Sequence, residues 1–153
     1  MKKIASFTVN HDTLERGMYV SRVDGDAVTY DIRMKKPNAG DYLSPRASHT
    51  IEHLFATYAR NSAFTDSVIY VGPMGCLTGF YLILRDNVPK KDAIALVRGA
   101  MEFIADFTGT IPGSGRRECG NYLFHDLAAA KKEGAAMAAV LKNWQEKDMT
   151  YAP

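Results

Sequence analysis

Residues 19–33 read Tyr19-Val-Ser-Arg-Val-Asp-Gly-Asp-Ala-Val-Thr-Tyr-Asp-Ile-Arg33. Strand-forming residues lie on both sides of Asp24-Gly-Asp26, and a turn signal between two such runs indicates a β-hairpin. The second strand is predicted to run from about Ala27 to Lys35. The hairpin therefore favours an antiparallel sheet.

A second pair of β-rich runs spans Ser67–Val71 and Thr78–Arg85. The intervening loop, Gly72-Pro-Met-Gly-Cys76, is short and joins the two runs tightly. We therefore predict four strands in all, paired as two hairpins.

Three segments are predicted to be helical. The first, Ser48–Asn61, has apolar residues at three- and four-residue spacing, which marks one buried face. The second runs from about Pro89 to Phe107, and the third from Leu123 to Lys147, where Gly134 marks a possible break. Hairpins with helices between them predict an α+β fold in which helices cover one face of an antiparallel sheet.

Length and composition limit the classes of protein. The chain has 153 residues, of which 46% are hydrophobic, and this suits a single domain spanning residues 1–153. Its 19 basic and 17 acidic residues give a net charge of +2, which lacks the electrostatic footprint of nucleic-acid binding. No apolar run approaches the roughly 18 residues of a membrane span.

The two cysteines, Cys76 and Cys119, bear on the cellular compartment. The lysines after Met1 are not followed by the apolar segment of a secretion signal. We therefore expect a cytoplasmic protein in which both thiols stay reduced and available for chemistry.

The first predicted helix contains the motif His49-Thr-Ile-Glu52-His53. Residues four apart on a helix project about 40° from each other, so the two imidazoles can bind one metal ion. The carboxylate of Glu52 can stand beside that ion as a base. The alternative is that His49, Glu52 and His53 are only solvent-exposed polar residues on the outer side of the helix.

Cys119 is the best candidate for a third ligand. It lies in the glycine-containing loop Gly115–Gly120, whose backbone freedom lets a thiolate reach inward. Two imidazoles and one thiolate leave a fourth position open, as in catalytic rather than structural sites. The alternative is that Cys119 is a small buried hydrophobic residue.

Cys76 lies in the glycine-rich loop between the third and fourth predicted strands. Glycines leave space beside its sulfur, so Cys76 is a candidate acid–base or nucleophilic thiol. A buried, inert cysteine remains the alternative.

The residues alone leave three functional classes open. A metal-dependent enzyme of another kind would use both the metal and Cys76 as an acid–base or nucleophilic thiol. A metallopeptidase would use Glu52 to activate a zinc-bound water between His49 and His53, as the pattern His-x-x-Glu-His does in inverted zinc peptidases. A metal-binding or dimeric interaction module would need no reactive Cys76.

Several motifs together resemble the S-ribosylhomocysteine lyase family and occur in the family's order over nearly the whole chain. They are Ser6–His11, Tyr30–Arg33, Pro37-Asn38, His49-Thr-Ile-Glu-His-Leu54, Pro73-Met-Gly-Cys-Leu-Thr-Gly-Phe-Tyr81, Glu118-Cys-Gly120 and His125-Asp-Leu127.

The resemblance implies a homodimer with its active sites at the subunit interface. It also implies one ferrous ion per subunit, held by His49, His53 and Cys119. Zinc or cobalt can replace iron in such proteins.

The resemblance further assigns roles to individual residues. Glu52 and Cys76 look like the acid–base pair, and Ser6, His11 and Arg33 look like residues that contact the substrate. Several of these residues would come from the partner subunit.

The implied reaction cleaves S-ribosylhomocysteine to homocysteine and 4,5-dihydroxy-2,3-pentanedione by metal-assisted carbonyl migration and β-elimination. The second product is the precursor of autoinducer-2, so the implied context is quorum sensing together with homocysteine recycling in the activated methyl cycle.

Two positions depart from the family pattern. Tyr70 stands three residues before Pro73, where the family usually has an aspartate. This departure calls into question a contact to the substrate's amino group. Asn10 replaces a common aspartate before His11 and is a milder change.

Overall fold

The computed structural model describes all residues from Met1 to Pro153 and has four strands and three α-helices. The strands are β1 (Gly17–Asp24), β2 (Ala27–Arg33), β3 (Val68–Pro73) and β4 (Gly79–Arg85). The α-helices are α1 (Pro45–Arg60), α2 (Lys90–Asp106) and α3 (Leu127–Leu141). Short 3-10 turns lie at Ala5–Phe7, Thr65–Ser67 and Glu146–Asp148.

The four strands form one antiparallel sheet in the order β1-β2-β4-β3. The first hairpin is confirmed, with a two-residue turn in which Gly25 has a φ of 59° that suits glycine. The strand β2 ends at Arg33, two residues before the predicted Lys35, because the amides of Met34 and Lys35 both donate to the carbonyl oxygen of Thr78.

The two faces of the sheet differ in burial. One face turns Tyr30, Ile32 and Phe80 into the core, where Phe80 meets Phe55 of α1 edge-on at 6.2 Å between ring centroids. The opposite face, called the outer face below, is formed by the alternate residues Thr29, Asp31, Arg33, Tyr81 and Ile83. The helices thus pack on one face, as the sequence predicts.

The helix α1 begins three residues earlier than the predicted Ser48. The side chain of Ser44 accepts a hydrogen bond from the amide of Ala47 at 3.1 Å, and Pro45 occupies the first helical turn. The apolar residues Ile51, Leu54 and Phe55 of α1 are fully buried in the core. His49, Glu52 and His53 of the same helix are only partly buried. This orientation sets the side of α1 on which a polar site can form.

The helix α3 corrects the sequence interpretation in two ways. It begins at Leu127 rather than Leu123, because the carbonyl groups of Leu123 and Phe124 accept bonds from Arg46 and His49 and Asp126 is the N-cap residue. It ends at Leu141 rather than Lys147. It is also continuous through Gly134, so the predicted break there is wrong.

Gly134 serves close helix packing instead. A Cβ atom at this position would lie 2.8 Å from the Cγ2 atom of Ile104 and 3.0 Å from the carbonyl oxygen of Met101, both on α2. The absent side chain lets α2 and α3 approach each other at this crossing.

None of the helices combines the length and the apolar composition that a membrane-spanning helix requires.

We predict that Gly134→Val lowers the free energy of unfolding by about 1–3 kcal/mol, because an overpacked helix crossing must move apart. Ala135→Val is the matched control, since Ala135 is the next residue of α3 and is exposed. The control should lose only about 0.5 kcal/mol through helix propensity. Urea unfolding followed by circular dichroism measures both, and equal losses would contradict the packing role.

Candidate active site

The helix α1 brings His49 and His53 together one turn apart. Their Nε2 atoms lie 3.1 Å from each other. The Nδ1 atom of His49 lies 2.6 Å from the carbonyl oxygen of Phe124, and that of His53 lies 2.9 Å from the carbonyl oxygen of Pro112. A carbonyl oxygen only accepts hydrogen bonds, so Nδ1 carries the proton in each ring.

This tautomer makes the pair a metal-ligand arrangement. A ring that holds its only proton on Nδ1 presents the lone pair of its Nε2 atom, and in this form the lone pairs of His49 and His53 face the same point. Such lone pairs repel unless a cation lies between them. Ligands at about 2.0–2.1 Å in a tetrahedral site stand about 3.3 Å apart, close to the separation found here. Backbone carbonyls that orient ligating histidines are typical of metal sites.

Cys119 joins the two histidines from the loop between α2 and α3. Its sulfur lies 3.4 Å from the Nε2 atom of His49 and accepts a hydrogen bond from the amide of Asn121 at 3.4 Å. The structure therefore brings together the three residues that the sequence nominates as ligands.

His125 also lies in this cluster, and the sequence reasoning assigned it no role. One ligand atom from each of His49, His53, Cys119 and His125 can be chosen so that all four lie within 4.8 Å of one another. The ring of His125 stacks on that of His49 with centroids 4.0 Å apart. The available signals were its place in the motif His125-Asp-Leu127 and its position six residues after Cys119.

The environment of His125 also fits a cation. The Nδ1 atom of its ring is 3.0 Å from the hydroxyl oxygen of Thr50, while its Nε2 atom is buried without any hydrogen-bond partner. Burial, followed by the charges of His49 and His53, lowers the pKa of His125 to about 4. The ring of His125 is therefore neutral at physiological pH. A bound metal ion would give its unpaired Nε2 atom a partner.

The donor set consequently fits a divalent transition metal. Imidazole nitrogens and a thiolate suit zinc, ferrous and cobalt ions, while magnesium and calcium prefer oxygen ligands. The fourth predicted residue of this region, Glu52, is half-buried on the same helix, and its carboxylate makes no hydrogen bond or ion pair within the chain.

Cys76 lies apart from this cluster, exposed in the loop between β3 and β4. Its sulfur is 2.9 Å from the hydroxyl oxygen of Thr78, and that oxygen accepts a hydrogen bond from Arg33 at 2.7 Å. Because the guanidinium occupies a lone pair of the hydroxyl oxygen, the hydroxyl proton is free to point at the sulfur. Cys76 is exposed and linked to the Arg33 guanidinium through Thr78, so it is not the buried cysteine of the alternative interpretation.

Two of the three predicted substrate residues lie near this thiol. His11 lines the pocket beside Cys76, which measures about 260 Å³ and includes Pro37, Asn38, Tyr42 and Thr78. Arg33 lies below the pocket and is only 3% exposed, with its nitrogens bonded to Asp31 and Thr78. Direct contact between Arg33 and substrate stays a prediction.

Ser6 and Tyr70 lie elsewhere, in a shallow recess on the outer face of the sheet. Tyr81 also lines this recess, which measures about 350 Å³. Tyr70, the departure from the family pattern, is 52% exposed there. Neither this recess nor the pocket beside Cys76 is lined by a residue of the histidine–cysteine cluster.

Comparison with known proteins identifies the chain's relatives. The family model of the S-ribosylhomocysteinases (LuxS) matches residues 4–148. A protein of Desulfotalea psychrophila named S-ribosylhomocysteine lyase is 50% identical, with 99% of each chain covered.

Two further proteins of the same name are similarly close. That of Phocaeicola vulgatus is 48% identical over 100% of this chain and 98% of its own, and that of Clostridium acetobutylicum is 49% identical over 99% of each. The family match includes the histidine–cysteine cluster and the loop of Cys76 alike. The resemblance inferred from the motifs is thereby confirmed, and the chain belongs to the S-ribosylhomocysteinase (LuxS) family.

Proposed function

We propose that this chain cleaves S-ribosylhomocysteine to homocysteine and 4,5-dihydroxy-2,3-pentanedione. The observation that carries the proposal is the family match from residue 4 to residue 148, since it covers both the metal-binding cluster and the loop of Cys76. The full-length relatives named S-ribosylhomocysteine lyase support the same reaction. A peptidase would have no use for a polarised thiol outside the metal cluster.

The metal-binding residues are His49, His53 and Cys119, with His125 beside them. We propose ferrous iron as the ion, one per subunit, with zinc or cobalt as substitutes, because the nitrogen and sulfur donors suit all three. When bound, such an ion supplies Lewis-acid polarisation of the substrate's carbonyl and hydroxyl oxygens.

Cys76 and Glu52 are proposed to move the protons. The difficulty of the reaction is a carbon–sulfur bond that no neighbouring carbonyl initially activates. Transfer of protons between adjacent sugar carbons moves the carbonyl from C1 to C3, after which loss of the C4 proton expels homocysteine from C5. A thiolate beside Thr78 and Arg33 suits proton removal, and the unpaired carboxylate of Glu52 suits return of protons to oxygen or carbon.

We also propose a homodimer in which each active site takes residues from both subunits. The pocket beside Cys76 includes none of the metal-binding residues, so a second copy is a natural source of them. Exposed apolar residues in the N-terminal segment, Ile4 at 55% and Phe7 at 64%, favour a contact surface there. In this arrangement Ser6, His11 and Arg33 would contact substrate opposite the partner's metal ion.

The proposed location is the cytoplasm. Cys76 and Cys119 are both free, and each of the proposed roles needs a reduced sulfur. The product would then serve homocysteine recycling and, as the autoinducer-2 precursor, quorum sensing.

The direct test supplies S-ribosylhomocysteine to iron-loaded protein under anaerobic conditions and follows free thiol with a chromogenic disulfide. We expect stoichiometric release of homocysteine. Absence of thiol release, together with cleavage of a casein substrate, would replace the lyase by a metallopeptidase.

We predict that Cys76→Ala and Glu52→Gln each lower turnover by about 10²–10⁴-fold, because each removes a proton-transferring group. Both variants should keep the metal, since neither residue is a proposed ligand. Metal content and thiol release measured on the same samples separate the two effects. Normal turnover in either variant would refute that residue's assignment.

The same two variants test whether sites are shared between subunits. A hybrid dimer with one Cys76→Ala subunit and one Glu52→Gln subunit can be isolated with two different affinity tags. If each site combines Cys76 of one subunit with Glu52 of the other, the hybrid has one intact site and about half the wild-type turnover per dimer. If both residues act within one subunit, the hybrid is as inactive as its parents.

Cys119→Ser tests the metal cluster. A hydroxyl is a much poorer ligand than a thiolate, so we expect affinity for Co²⁺ or Zn²⁺ to fall by more than about 100-fold, beyond the loss typical of an outer-shell partner. Cys76→Ser is the matched control and should bind metal normally. Titration of apoprotein against a chromophoric chelator measures both, and unchanged affinity in Cys119→Ser would exclude that residue as a ligand.

A further inference from the structure

The C-terminal tail after α3 returns to the sheet and is fixed along β1. The indole N–H of Trp144 donates to the carbonyl oxygen of Met18 at 2.8 Å. The amide N–H of Val20 donates to the carbonyl oxygen of Met149 at 2.9 Å. Met149 is only 2% exposed. These contacts bring the side chain of Tyr151 against the outer face of the sheet.

Tyr151 donates a hydrogen bond to the carboxylate of Asp31, with 2.7 Å between the two oxygens. Its ring stacks on that of Tyr19, with centroids 5.0 Å apart and an interplanar angle of 21°. Burial, followed by the charge of Asp31, raises the pKa of Tyr151 well above its usual value. The hydroxyl therefore remains protonated and donates at every physiological pH.

The carboxylate of Asp31 is also hydrogen-bonded to Arg33. Its two oxygens accept bonds from Nε and Nη2 of Arg33 at 3.1 and 2.7 Å, and neither residue is more than 3% exposed. The remaining nitrogen, Nη1, donates to Thr78 at 2.7 Å, and Thr78 contacts the sulfur of Cys76 at 2.9 Å. One unbroken chain of hydrogen bonds thus runs from the C-terminal tail to the thiol.

We propose that Tyr151 is a positioning residue for Cys76. The hydroxyl of Tyr151 donates to the carboxylate of Asp31 and so takes up part of its negative charge. More of the positive charge of Arg33 is then directed at Thr78 and at the sulfur. A carboxylate without that donor would draw the guanidinium toward itself and neutralise it more completely. The thiolate of Cys76 would then lose part of its stabilisation. This inference deepens the proposed function, since it rests on Cys76 acting as a thiolate.

Several titratable groups face Cys76 and its surroundings from different elements. They are Arg33 of β2, His11 of the N-terminal segment, Tyr42 of the loop before α1 and Tyr81 of β4. Only Arg33 is cationic at every accessible pH, and it is the group to which Tyr151 connects. The pKa of Arg33 is raised above its usual value, although burial, the largest influence, lowers it. Asp31 raises this pKa most, and the charge of Cys76 raises it further. The two groups are therefore electrostatically coupled.

The test measures the reactivity of Cys76 without relying on turnover. Metal-loaded full-length protein is treated with iodoacetamide between pH 5 and 10, and the rate of Cys76 alkylation is read from its peptide by mass spectrometry. In Tyr151→Phe we expect the midpoint of the pH profile to rise by about half a unit to one unit, which makes alkylation below the midpoint roughly three- to tenfold slower.

Tyr19→Phe is the matched control. It removes a hydroxyl from the other ring of the same stack, but that hydroxyl donates to the carbonyl oxygen of Glu15 at 3.0 Å and does not touch Asp31. Its profile should coincide with that of the wild type. An unshifted profile in Tyr151→Phe, or an equal shift in Tyr19→Phe, would overturn the proposal.

A second pair of variants tests the chain if Tyr151→Phe does not fold. Thr78→Val removes the hydroxyl between Arg33 and Cys76 and should raise the midpoint, while Thr78→Ser should restore it. An unchanged midpoint in Thr78→Val would break the proposed chain. If alkylation behaves as expected but Cys76→Ala retains turnover, the proposed role of Cys76 fails while the positioning by Tyr151 stands.

Discussion

The hydrogen bonds from His49 and His53 to two backbone carbonyl groups are the constraint on which the metal-binding cluster depends. They fix the plane and the tautomer of each ring, so the direction of each Nε2 lone pair is set by the backbone. They also fasten the loop between α2 and α3 to α1. Because the same loop carries Cys119 and His125, a single set of contacts assembles residues from distant parts of the chain.

Features with a local cause could be predicted from the sequence. Strand-forming runs on either side of a turn signal or a short loop predicted the two hairpins. Helical spacing predicted both the buried face of α1 and the convergence of His49 with His53. Features with a tertiary cause could not. The start of α3 depends on carbonyl groups recruited by α1, and Gly134 follows from a close helix crossing. The position of His125 in the cluster depends on a loop, where no periodicity relates sequence to direction.

The thiol region depends on how closely β2 and β4 approach. A Cβ atom on Gly79 would lie 2.1 Å from the carbonyl oxygen of Ile32, so only glycine permits this pairing. The register then sets Arg33 opposite Gly79, next to Thr78. The charged pair of Asp31 and Arg33 is thus buried on the outer face, where burial without partners would be strongly unfavourable and where each hydrogen bond has a large effect.

The tail along β1 has a further consequence for how copies of the chain can associate. Edge strands with unpaired backbone groups can pair with strands of other chains. Here the C-terminal tail is hydrogen-bonded to β1 through Val20 and Met149. On β3, Arg60 donates to the carbonyl oxygens of Val68 and Ile69. Both edge strands also carry an irregularity in register, near Val20 and Val68 respectively. Extension of the sheet from one molecule to the next is therefore disfavoured, and the molecule is protected from aggregation through its edges.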